Sequence, residues 1–99
     1  MSNSDDSELG NDFSFTLEVS NKMGIHARPA AMIVRIASRF EGDIWVEKEG
    51  EKVNAKSIMG IMMLAAAKGT PLTFHLNSSD SIIFQKEMTE LFSSKFQDE

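Results

Sequence analysis

The chain has 99 residues, 41% of them hydrophobic, which suits one domain with a single modest core. It contains no cysteine, which excludes disulfides, thiolate metal sites and a cysteine nucleophile and fits a reducing compartment. The net charge is −5, but four acids, Asp5, Asp6, Glu8 and Asp12, fall in the first twelve residues, so the remainder is nearly balanced and offers no basic stripe for nucleic acid.

No apolar run is long enough to span a bilayer, and the N-terminus lacks the basic start and apolar stretch of a secretory signal, so a cytoplasmic location is expected. Residues 1-11, MSNSDDSELGN, read as a flexible acidic leader ahead of one domain over residues 12-99. From Phe13 to Ser20 apolar and polar residues alternate strictly, with Phe13, Phe15, Leu17 and Val19 on one side. That is the period of a strand with one buried face. Asn21 to Gly24 reads as a turn.

From Ala27 to Phe40 the period becomes helical, with Ala30, Ile33, Val34 and Ala37 on the apolar stripe. Pro29 is tolerated only in a first turn, so the helix starts within a few residues before it, and His26 is the natural boundary. Gly42 is a stop signal, and Asp43 to Lys48 forms a second strand with Ile44 and Val46 opposite Trp45. Glu49-Gly50 turns the chain back into Glu51 to Ala55.

Lys56 to Leu64 is predicted as a short helix with Ser57 as N-cap, although Gly60 weakens it. Lys68 to Pro71 breaks the chain before a fourth strand carrying Leu72, Phe74 and Leu76 on its inner face. His75 alternates outward and reads as a surface histidine with no partner nearby in sequence. Ser78-Ser79-Asp80 opens a last helix with Phe84, Met88, Leu91 and Phe92 buried. The order βαββαβα predicts an α+β, open-faced two-layer sandwich: a four-stranded antiparallel sheet covered by three helices.

The chemistry is concentrated in Gly24-Ile25-His26-Ala27-Arg28-Pro29-Ala30. A glycine turn delivers an imidazole to a helix start, where amides carry partial positive charge. That end disfavours imidazolium and favours an added phosphate, which the amides of Ala27 and Arg28 and the Arg28 guanidinium could hold; Pro29 has no amide to offer. Taken alone, a histidine near a helix start is more often a loop terminus, and Ser57 more often only a cap. Neither histidine has acidic or histidine neighbours at metal-ligand spacing, and there is no glycine-rich nucleotide loop, so no metal and no cofactor are expected.

The heptad around His26 resembles the active-site motif of HPr, the histidine-containing phosphocarrier of the sugar phosphotransferase system. Lys56-Ser57-Ile58-Met59-Gly60-Ile61-Met62 resembles the regulatory-serine segment of the same family in its Gram-positive form, and the spacing of the two motifs agrees. The resemblance covers the chain from about Phe13 onward. It implies a phosphocarrier rather than an enzyme: His26 accepts a phosphoryl group at Nδ1 from Enzyme I and gives it to Enzyme IIA domains. Arg28 stabilises the phosphohistidine and Pro29 shapes the helix entry.

By the same resemblance Ser57 is phosphorylated by an ATP-dependent HPr kinase/phosphorylase, while Ile58, Met59, Met62 and Arg35 face partners. The expected molecule is a monomer that binds neither nucleic acid nor membrane. An alternative is an HPr-like regulatory relay acting mainly through Ser57 rather than transport. A non-phosphorylated binding module on the same fold would not need His26. Met23, three positions before the histidine, departs from the small or polar residue common there and makes the rim of the site more apolar.

Overall fold

The computed structural model describes residues 12–97. The leader expected over residues 1-11 lies outside these. The elements in chain order are β1 (Phe13–Glu18), α1 (Ala27–Ala37), β2 (Ile44–Lys48), β3 (Glu51–Asn54), α2 (Ile58–Met63), β4 (Pro71–Leu76) and α3 (Ser81–Ser93), followed by a single 3₁₀ turn, Lys95–Gln97. The strands form one antiparallel sheet in the order β1-β4-β2-β3, and β4 pairs with both β1 and β2. This is the open-faced α+β sandwich that the alternation of the strands predicts.

The inner face of the sheet and the helix stripes meet in an aromatic core. Phe74 at the centre of β4 stacks on Phe15 at 5.4 Å between ring centroids and meets Phe84 of α3 edge-on at 5.8 Å. Phe84 also meets Phe40 edge-on at 5.3 Å, which ties the end of α1 to α3. Such offset and edge-on pairs add to burial because ring faces and edges carry opposite partial charge. Ala30, Ile33 and Ala37 of α1, and Phe84, Met88, Leu91 and Phe92 of α3, are all buried as their spacing predicts.

The other sheet face is open to water and polar. Ser14, His75, Trp45 and Asn54 lie in one row across it, and Thr16, Thr73, Glu47 and Lys52 in the next. Here the sequence reading of His75 needs correction: it is half-buried, and its Nε2 lies 2.6 Å from Oε1 of Glu47 on the adjacent strand. Trp45 sits on this open face and is 40% exposed.

Several boundaries also differ from those predicted. β1 ends at Glu18 because its partner is Pro71, which has no N–H, yet Val19 continues the pairing through Thr70 and Gly69. α1 tightens after Ala37 into i→i+3 bonds from Arg39 and Phe40, and α3 starts at Ser81. The residues of the Lys95–Gln97 turn all have positive φ (53–57°), and nothing in the sequence period signals it. Phe96 in that turn is fully buried against Phe92 at 4.9 Å, so apolar burial holds a left-handed conformation that L-residues resist.

The β2–β3 hairpin turns through Glu49 (φ 51°) and Gly50 (φ 87°), both left-handed, as a two-residue turn matching the twist of its strands requires. Glu49 is strained there and Gly50 is not. Glu49→Asn is expected to raise stability by about 1 kcal/mol, because asparagine tolerates positive φ. Urea unfolding should show a higher midpoint with an unchanged slope.

Candidate functional site

Asn21 to Ile25 form the platform of the site. Asn21 is fully buried; its Nδ2 donates to the Gly24 carbonyl at 2.8 Å, and its own carbonyl accepts from the Gly24 amide at 3.2 Å. Gly24 has φ +75°, and a Cβ built there would lie 2.7 Å from the Ala66 carbonyl oxygen. Only glycine fits this approach. The next amide, Ile25 N–H, donates to that same Ala66 carbonyl at 2.9 Å, and the Ile25 side chain is buried. The chain therefore enters α1 in one direction, fixed by a backbone contact with the segment that follows α2.

His26 is the N-cap of α1, with extended backbone (φ −96°, ψ −164°), half-exposed, and its side chain does not cap the helix. Its carbonyl accepts from Ala30 N–H at 3.0 Å, closing the first turn. Pro29 is the third residue of the helix and is buried, where a missing amide costs nothing. The first turn carries no acidic side chain. The imidazole thus stands at the positive end of a helix dipole, with no carboxylate in that turn to offset it.

Arg28 is exposed one residue into the first turn. Its Nη1 lies 3.6 Å from Sδ of Met32 and its Nη2 3.4 Å from the Gln97 carbonyl. The guanidinium therefore lies along the helix toward the C-terminal turn. Arg35 is exposed two turns further on, in register with Arg28 and Met32 on the outer stripe of α1.

Ser57 is the N-cap of α2, as its spacing predicts, and its Oγ accepts from Gly60 N–H at 2.9 Å. Gly60 has a role that helix propensity hides: a Cβ there would lie 3.2 Å from Ser57 Oγ and 3.4 Å from Cβ of Val53. The glycine that weakens the helix makes room for its cap. α2 buries Ile61 within its length, leaving Ile58, Met59, Met62 and Met63 exposed on one side. α1 and α2 pack against each other. Met63 is also exposed, although three methionines at near-helical spacing do not by themselves reveal which side is covered.

Two lysines tie these elements together. Lys56 Nζ donates to the carbonyls of Phe40 and Gly42 at 2.7 and 2.9 Å, beyond the C-terminus of α1, and Lys48 Nζ donates to Leu64 O at 2.9 Å, at the end of α2. Cations at the carbonyl ends of helices satisfy acceptors with no intrahelical partner and complement the dipole. Among the described residues, no helix is long and apolar enough to cross a membrane.

Comparison with known proteins places these motifs in a family. A family model described as "PTS HPr component phosphorylation site" matches residues 13–94. The phosphocarrier protein HPr of Neisseria meningitidis is 41% identical over 81 residues, 82% of this chain and 91% of that protein. The HPr-like protein Crh of Bacillus subtilis is 45% identical over 83 residues, 84% and 93% of the two chains. The crystal structure of HPr from Thermoanaerobacter tengcongensis superposes with a TM-score of 0.81 at 46% identity, covering 88% of this chain and 98% of that one. A second structure from that organism, described as an HPr dimer, gives 0.66 at 48% identity, with 83% and 94% covered.

Gly24→Ala should destabilise the protein, since the new methyl group meets backbone rather than a movable side chain and sits at positive φ. We expect a loss of about 2 kcal/mol, read in calorimetry as a fall in Tm of about 8 °C or more.

Proposed function

The chain belongs to the HPr family of phosphocarrier proteins, and on that footing we propose that His26 accepts a phosphoryl group from Enzyme I and passes it to an Enzyme IIA domain. The observation that carries this reading is the placement of a half-exposed imidazole as the N-cap of α1, with Arg28 next but one. A neutral imidazole nitrogen attacks the phosphoryl donor in line; the donor's bond to phosphorus breaks as the N–P bond forms. The helix end then favours the new dianion, and the Arg28 guanidinium, which lies beside Met32 and Gln97, would turn its donors toward the phosphate oxygens. Pro29 sets the entry angle of the helix.

Phosphorylated imidazole is a good donor because the ring leaves as a neutral amine once protonated. The protein does no chemistry on a bound small molecule: it is substrate and donor in reactions that its partner enzymes catalyse. No metal and no cofactor enter this scheme, and the reading places it in the cytoplasm, where Enzyme I and phosphoenolpyruvate are met. Ile58, Met59, Met62 and Arg35 form the docking surface in this reading, with the helix stripe supplying charge and α2 the apolar contact.

Ser57 is the proposed regulatory site, phosphorylated by an HPr kinase/phosphorylase. A phosphate on its Oγ would sit at the start of α2 beside the docking surface, adding negative charge where partners approach and leaving the fold in place. The likeness to the HPr-like protein Crh supports a second reading, in which signalling through Ser57 outweighs transport. The expected monomer stands as a proposal beside the solved HPr dimer noted above.

Incubation with Enzyme I and phosphoenolpyruvate should give acid-labile phosphate that His26→Ala lacks entirely; equal labelling of that variant would refute the assignment. Arg28→Ala should still be labelled, with phosphoryl transfer slowed about tenfold or more, as expected for loss of one charge-assisted contact to phosphate. With ATP and the kinase, acid-stable phosphate should appear on the parent chain and be absent from Ser57→Ala.

A further inference from the structure

The chain has seven methionines and no cysteine. Six of the methionines are described, and they divide sharply by position. Met23, Met59 and Met63 are 73%, 74% and 70% exposed and Met62 is 41% exposed, whereas Met88 is fully buried in the core. Met32 is half-buried, with its sulfur against Arg28. The exposed four are not scattered. Met59, Met62 and Met63 lie with Ile58 on the outer side of α2, directly after Ser57. Met23 sits on the turn leading to His26, and that turn is bonded through Ile25 to Ala66, three residues past Met63. Thioethers thus border both proposed phosphorylation sites.

Folding does not require them there. Ile61 and Leu64 already supply the buried contacts of α2, and leucine would be an equally good helix former. What methionine adds on a surface is a soft, adaptable contact, and with it a sulfur open to oxidants. In a chain without thiols, nothing intercepts a peroxide before these sulfurs do.

We propose that Met23, Met59, Met62 and Met63 form a peroxide-sensitive modification site whose oxidation turns off partner docking and so phosphoryl transfer through His26. This rests on the phosphocarrier reading above. In the step itself, a sulfur lone pair attacks one oxygen of the peroxide. The S–O bond forms as the O–O bond breaks, sulfur is oxidised by two electrons, and the departing oxygen leaves as water after taking a proton. The product sulfoxide is polar and a strong hydrogen-bond acceptor. Covering it with an apolar partner surface strips water from it without repayment. The change is reversible, because sulfoxide reductases regenerate the thioether.

The test treats the full chain with dilute hydrogen peroxide, maps the added oxygen by peptide mass spectrometry, and measures transfer from Enzyme I before and after. Met23, Met59 and Met63 should oxidise first, Met62 next and Met88 last. KM for Enzyme I should rise about tenfold or more while Tm stays unchanged, and a pair of methionine sulfoxide reductases should restore it. Unchanged transfer after all four are oxidised would overturn the proposal. So would oxidation of Met88 in step with the others, or a loss of transfer matched by a loss of Tm.

A variant with all four replaced by leucine, compared with its own untreated rate, should lose its peroxide response. A response as large as that of the parent chain would place the effect elsewhere in the chain and also overturn the proposal. Failure of the untreated chain to accept phosphate would refute the phosphocarrier reading instead, and this proposal with it.

Discussion

The contact on which the site depends is the one between Gly24 and the carbonyl of Ala66. It joins two stretches about forty residues apart in a chain of 99, with no room for a side chain between them. Ile25 N–H then bonds to that same carbonyl, and the buried Ile25 side chain prevents the turn from rolling. From there the direction of α1 follows, because Pro29 in the first turn fixes φ near −65° and forbids the helix from starting later. The place of His26 at the start of α1 is therefore set by backbone packing. The phosphoryl transfer proposed for His26 would leave these backbone contacts in place.

A second group of interactions ties the segment around Ser57 into the same frame. Lys56, immediately before Ser57, is drawn toward the carbonyls of Phe40 and Gly42, and Lys48 of β2 toward those that follow α2. Each lysine joins elements that the sheet alone would leave independent. Ser57 bonds to the Gly60 amide, and Gly60 is small enough to allow it. A six-residue helix has little stability of its own, since the cost of nucleating a turn is spread over few bonds. Caps at both ends are what such a helix needs, and here the N-terminal cap is also the residue proposed for modification.

Much of this was legible in the sequence, and the exceptions share a cause. Strand alternation and helix stripes report one-sided burial directly, so β1, β4 and the buried faces of α1 and α3 could be read from residue spacing. The His26 heptad was equally plain, because glycine, histidine and proline each constrain the backbone locally. What could not be read were contacts and conformations that only tertiary packing decides. His75 meets Glu47 only because β4 lies beside β2, a matter of strand order, and the two are 28 residues apart. Gly60 reads as a defect in a helix until Ser57 and Val53 are seen against it. The left-handed turn at 95–97 is set by burial of Phe96, which opposes local preference and so leaves no local signature.

The proposed site stands apart from the groove on the sheet. The groove lined by Trp45, Lys52, His75 and Asn77 lies on and beside the open face of the sheet and includes neither His26 nor Ser57. The proposed carrier role sets a geometric requirement. Its reacting nitrogen must enter the clefts of two different partners in turn, so it must stand proud of its own surface, with enough rigidity behind it to be aimed. A half-exposed imidazole at the tip of a helix, backed by a turn pressed against the Ala66 backbone, meets both demands. In the proposed scheme the transfer makes no use of the groove on the sheet, and the exposed apolar side of α2, next to Ser57, is the surface offered to partners.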